Sequence, residues 1–159
     1  MSTDSWKTST GPSSLGVAHT KEDTLTATVA DGINFLLVCD WGHAGLSKNK
    51  AQMETQASSC NADFVLLGGD NFYMNGVKST TDPLWKEFFT GTFNGPYLSK
   101  TPFYAVLGNH DYGYKAKGSV DAQLQYGAID SRWHMPNRWH TEIFTSPSKD
   151  FTVQVVCID

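Results

Sequence analysis

The sequence lacks most of the features that would take it out of the class of ordinary folded domains. Three cysteines, Cys39, Cys60 and Cys157, form no CxxC pair, so neither a disulfide framework nor a zinc knuckle is indicated. Cys39 and Cys157 sit inside apolar runs, where a buried structural thiol is expected. There is no cluster of Lys and Arg, and the formal net charge is −4. Both disfavour a nucleic-acid partner, because affinity for the phosphate backbone comes from grouped cations. No stretch approaches the roughly 20 apolar residues needed to cross a bilayer, and the first 30 residues lack the basic-then-apolar order of a secretory signal. An Asn-x-Ser/Thr sequon is also missing. What is present is 40% hydrophobic residues, 13% of the chain being aromatic, in 159 residues. That is enough for the core of one domain and argues against wholesale disorder.

Residues 1–31 are rich in Ser, Thr, Gly and Asp with little periodicity and are expected to form a mobile polar leader. From residue 32 onward a rhythm sets in. Short continuous apolar runs at 34–39, 63–67 and 102–107 alternate with helix-length segments, the pattern of strands buried on both faces of a parallel sheet. A polar helix is predicted over 47–60. A second is predicted to start at Asp82, as N-cap, and Pro83, and to run through Trp85, Phe88 and Phe89 until Gly91 breaks it. A weaker helix follows over 120–129, and two strand candidates, 141–145 and 151–158, close the chain. Residues 32–159 therefore read as one α/β unit.

Each of the first three strand candidates ends in a Gly-containing loop that carries oxygen or nitrogen donors: Cys39-Asp40-Trp41-Gly42, Gly68-Gly69-Asp70-Asn71-Phe72-Tyr73 and Gly108-Asn109-His110-Asp111. Ligands of parallel α/β sheets gather outside the carboxyl ends of the strands, so these loops are expected to meet in space. Carboxylate, phenolate and amide oxygens are hard donors suited to a hard, highly charged cation, and one carboxylate can bridge two such ions. Taken singly, each residue has a plainer reading. A post-strand Asp is usually a turn former or cap, and a lone Tyr is usually a half-buried core residue. The combination points to two-metal chemistry.

Together these blocks resemble the first three of the five that define purple acid phosphatases within the calcineurin-like metallophosphoesterases. Asn61-Ala62-Asp63-Phe64, Gly76-Val77 and Ser131-Arg132-Trp133 are similar to the small, tartrate-resistant type. The resemblance implies a partial four-layer α/β/β/α sandwich and a dinuclear centre of Fe(III) with a second divalent ion, Fe, Zn or Mn. It implies that Asp40 and Tyr73 bind the ferric ion, that Asp70 bridges the two ions and that Asn109 binds the divalent one. His110 would assist the leaving group, with Asp111 orienting it, and Asn71 would be a substrate contact. His43 stands where small members of the family often have Gly or another small residue, and reads as either a substrate contact or a solvent-exposed loop histidine. The expected reaction is hydrolysis of phosphate monoesters at acid pH, on small phosphate esters or phosphoproteins, with no nucleic-acid or membrane partner.

The family's fourth and fifth blocks, a single His after a later strand and a Gly-His-x-His turn, would add three nitrogen ligands. Neither occurs up to Asp159. The resemblance thus covers an amino-terminal portion, which by itself is expected neither to hold two ions tightly nor to turn over substrate. It is also expected to leave an apolar sheet face uncovered. The alternatives are a generic metallophosphoesterase acting on diesters or nucleotides, which Tyr73 argues against, and a non-catalytic half-domain serving as an interaction module. His134 and His140, six residues apart beside Trp133 and Trp139, are not expected to be ligands.

Overall fold

The computed structural model describes residues 32–44 and 47–159. The expected leader at 1–31 lies outside them. Four strands, β1 (Phe35–Val38), β2 (Phe64–Leu67), β3 (Phe103–Ala105) and β4 (Trp133–His134), form one sheet in the order β1-β2-β3-β4. All neighbours are parallel, with Phe35 opposite Phe64, Val65 opposite Phe103 and Phe103 opposite Trp133. Parallel neighbours need a crossover, and α1 (Ser47–Cys60) supplies it between β1 and β2. The short helices α2 (Asn109–Tyr112) and α3 (Val120–Gln125) lie between β3 and β4. The chain then turns back as an antiparallel hairpin of β5 (His140–Thr145) and β6 (Thr152–Cys157).

Because side chains alternate along a strand, the sheet has two distinct faces. Val65, Leu67, Phe103 and Ala105 point into a core built largely of aromatics, including Trp41, Phe72, Trp85, Phe89, Phe93 and Trp133. Trp85 stacks flat on Tyr126 at 3.4 Å, and Phe89 meets Phe103 and Trp133 edge-on. On the opposite face Phe64 stacks on Phe144 of the hairpin at 3.7 Å, with Tyr104 edge-on to both. The hairpin is thereby a second layer on the sheet.

The predicted helix after Asp82 forms, but its stretch Trp85–Thr90 is π-helical. Asp82 caps its start, accepting the Leu84 N–H at 3.0 Å. The wider turn closes from the Gly91 N–H back to the Lys86 carbonyl at 2.8 Å, and it brings Trp85, Phe88 and Phe89 together into the core.

Two expectations fail at β1. Its apolar run predicts burial on both faces, yet Phe35 is 44% and Leu37 64% exposed. β1 is an edge strand that the hairpin does not reach across. For the same reason Cys39, expected to be buried, is exposed, whereas Cys157 is buried as expected. β4 has only two residues, too short to produce a periodic signal, and it exists because β3 offers it a partner.

Candidate metal centre

The three donor-bearing loops lie side by side at the carboxyl ends of β1, β2 and β3, and their glycines are what let the backbones touch. A Cβ on Gly42 would fall 1.7 Å from the Asn71 carbonyl oxygen. One on Gly108 would fall 2.2 Å from both the amide nitrogen and Oδ1 of Asp70. The loops are laced by the Asp40 N–H to the Gly69 carbonyl at 3.1 Å and the Tyr73 N–H to the Gly42 carbonyl at 2.9 Å. Trp41 of the first loop donates its indole N–H to Asn71 Oδ1 of the second at 2.9 Å.

Asp40 and Asp70 both sit in the left-handed backbone region, at φ 55° and 51°. For a non-glycine residue this conformation costs about 1–2 kcal/mol, less for Asp than for branched residues, and such strain concentrates at functional sites. The shared kink turns both carboxylates toward one point. There the Tyr73 hydroxyl lies 2.5 Å from Asp40 Oδ1 and 2.7 Å from Asp70 Oδ2. The second oxygen of Asp70 accepts the backbone N–H of His110 at 2.9 Å, which ties the start of α2 to the same point. Burial, then the hydrogen bonds to Asp40 and Asp70, push the Tyr73 phenol well above the usual tyrosine range.

This donor set fits a hard cation: two carboxylates and a phenol from two loops converge on one point. Asn109, the fourth expected donor, is exposed at the first position of α2, next to His110. Among the described residues no group of three or more His, Cys, Asp or Glu could by itself hold a metal ion. The donors brought together are therefore oxygens of mixed type.

The remaining expected site residues divide. The His110 ring lies 4.3 Å from the Tyr73 ring, centroid to centroid, and its Nδ1 is 3.0 Å from the Met74 carbonyl. A carbonyl can only accept, so Nδ1 carries the proton and Nε2 is the ring's exchangeable nitrogen. His43 is exposed, edge-on to Tyr73 at 5.5 Å between ring centroids.

Asp111 and Asn71 are placed differently from expectation. Asp111 does not orient His110, a role that falls to the Met74 carbonyl. It is wholly buried, and its carboxylate accepts the backbone N–H groups of Asn71, Phe72 and Gly108 and the Gln123 amide. Asn71 is equally buried and cannot be a substrate contact, since its amide is spent on Trp41, the Val106 carbonyl, Asp111 and Gln123. The polar motif residues beside the candidate donors are thus the frame that holds two loops in register. Gln123 belongs to this frame and carries no signal in sequence, because a Gln within a helical stretch is ordinarily a surface residue.

A sequence profile of the Calcineurin-like phosphoesterase family matches residues 33–156. The chain belongs to the calcineurin-like phosphoesterases. Within that family it is 44% identical over 107 residues to purple acid phosphatase 3 of Arabidopsis thaliana, an alignment covering 64% of this chain and 28% of that protein. It is 32% identical over 152 residues to tartrate-resistant acid phosphatase type 5 of Sus scrofa, covering 91% of this chain and 43% of that one. This calcineurin-like phosphoesterase thus spans less than half the length of these curated relatives. Among solved structures it is similar to "GAP50 the anchor in the inner membrane complex of Plasmodium". The TM-score is 0.67 at 29% identity, covering 79% of this chain and 41% of the other. The family stands as expected, as does the α/β fold with its parallel sheet, and membership of that family implies metal ions.

Proposed function

We propose that the chain is the metal-binding portion of a phosphoric monoester hydrolase, an acid phosphatase working with Fe(III) and a second divalent ion. The observation that carries this reading is the Tyr73 hydroxyl lying between the carboxylates of Asp40 and Asp70. A phenolate beside carboxylates favours a ferric ion over softer or less charged ones. Asp40 and Tyr73 would hold that ion, Asp70 would be shared, and Asn109 would serve the divalent one. When bound, such a pair of ions neutralises charge gathering on a transferring phosphoryl group.

The chain's own contribution to turnover lies in positioning and in one proton. In its doubly protonated form, with Nδ1–H donating to the Met74 carbonyl, His110 presents Nε2–H to give a proton to the leaving ester oxygen, which leaves the ring neutral. His43, edge-on to Tyr73, would border the space where an ester sits. The substrates on this reading are small phosphate monoesters or phosphoproteins, not nucleic acids or membranes. The 159 residues by themselves, offering oxygen donors and no three-residue His, Cys, Asp or Glu group among the described residues, would hold two ions weakly and turn over little.

The test is absorption spectroscopy and phosphate release from 4-nitrophenyl phosphate by the complete iron-loaded protein. A visible charge-transfer band that Tyr73→Phe abolishes, together with release at acid pH, is the expected result. Colourless protein with full activity would exclude the ferric–tyrosine assignment and favour a generic metallophosphoesterase. A second reading, a non-catalytic anchoring module, draws on the similar fold of the Plasmodium anchor protein. It predicts a folded protein with no phosphate release at any metal or pH.

A further inference from the structure

On α2, His110 serves the candidate centre, and two residues on, Tyr112 lines a cavity of about 390 Å³ outside it. Three segments far apart in sequence meet there, each bringing a cation: Lys78, Lys117 and Arg138. They are three of the 12 Lys and Arg in a chain of net charge −4. Asp121 is the single acidic residue in the lining. The ion pairs among the described residues are Arg132–Asp130 and His140–Glu142, so none of the three cations is spent in one.

The cavity is built, not incidental. The loop carrying Lys117 is fastened by a single oxygen: Asn75 Oδ1 accepts the successive backbone N–H groups of Tyr114, Lys115 and Ala116 at 3.1, 2.7 and 3.0 Å. The Gly118 N–H closes the loop on the Tyr112 carbonyl at 3.0 Å, and the Ser119 N–H reaches the Val77 carbonyl at 2.7 Å, next to Lys78. Arg138 lies over the Tyr112 ring at 5.5 Å, and the Tyr112 hydroxyl is held by Asp159. Backbone lacing thus fixes the roots of Lys78 and Lys117, and an aromatic face seats Arg138.

Like charges gathered in a concave site repel one another, and they focus field lines on whatever anion enters. We propose that this cavity binds a small anion carrying at least two phosphate groups, held by Lys78, Lys117 and Arg138. Its volume falls within the roughly 300–1,000 Å³ of small-molecule sites, so a second phosphoryl group has room and a second cation to meet. The guanidinium of Arg138 suits paired phosphate oxygens, and the two ammonium groups act as point charges. The site is independent of the phosphatase reading, because none of its residues is a donor of the candidate centre.

The test is isothermal titration of the 159-residue chain with pyrophosphate in the presence of a chelator, so that no metal ion contributes. Pyrophosphate should bind at least tenfold more tightly than orthophosphate, with affinity falling as salt rises. Lys117→Gln combined with Arg138→Gln should weaken it at least tenfold. These side chains are exposed and their loss leaves the core intact; circular dichroism verifies the fold. Asp121→Asn, which removes the acidic lining residue, should tighten binding severalfold. Asp40→Asn with Asp70→Asn should leave it unchanged. The proposal is overturned by no measurable pyrophosphate binding, by equal binding in the Lys117/Arg138 variant, or by loss of binding in the Asp40/Asp70 variant. Failure of the phosphatase reading would show instead as absent turnover by the metal-loaded protein, with pyrophosphate binding intact.

Discussion

Asp111 shows how a single buried carboxylate can decide the geometry of a site it never enters. Removing it leaves the N–H groups of Asn71, Phe72 and Gly108 and the Gln123 amide without an acceptor. Several orphaned buried donors are costly. Asp111→Ala should therefore lower stability by about 3 kcal/mol or more, read as a shift in the denaturant midpoint. A change within 0.5 kcal/mol would show that the two loops hold their register without it. Asp130 acts through charge. Burial works to raise its carboxyl, and the Arg132 fork, at 2.7 and 3.1 Å, more than offsets this and holds it below the ordinary carboxylate range. A depressed folded-state pKa contributes stability that is present above the unfolded value near 3.9 and lost as pH falls through the folded one. Between pH 6 and pH 2 the wild-type denaturation midpoint should fall further than that of Asp130→Asn; parallel curves would remove the linkage.

Between elements, the glycines of the donor loops are steric requirements. With the Asn71 carbonyl 1.7 Å from where a Cβ would stand, Gly42→Ala must push the first loop off the second. Backbone cannot yield as a side-chain tip can, so a cost of about 3 kcal/mol is expected. The convergence of Asp40 with Tyr73 should be lost with it, seen as loss of metal-dependent thermal stabilisation. Retention of both would mean that the loops have slack. Here the sequence was informative in kind but not in detail. Residues 47–60 read as a helix and are one, and the three short apolar runs read as strands and are strands. The π-helical turn at Trp85–Thr90 was not legible, because whether a turn closes on the fourth or fifth residue depends on what the aromatics pack against. The places of Asp111 and Asn71 were not legible for a related reason. A polar residue next to a candidate donor looks the same in sequence whether it faces the site or the frame beneath it.

The whole molecule carries apolar surface that the described residues do not cover. The outer face of the hairpin exposes Ile143 and Val156, Ile158 beyond it is 73% exposed, and Leu37 stands out from the edge strand β1. Exposed apolar side chains on strands, one of them at a sheet edge, favour association. Sedimentation velocity on the 159-residue chain should show concentration-dependent oligomers that Ile143→Lys with Val156→Lys reduces. A monomer at all concentrations would show that this face needs no cover.

The sequence by itself determined the alternation of strand and helix, the three donor loops and the family to which they belong, because periodicity, turn residues and motif order are local properties of a chain. Tertiary structure alone decided that the two strained aspartates meet one phenol hydroxyl, that a backbone carbonyl and not Asp111 orients His110, and that three distant cations share a cavity. Those outcomes depend on which backbones touch, and contacts between separate segments of the chain are set by packing that no local pattern records.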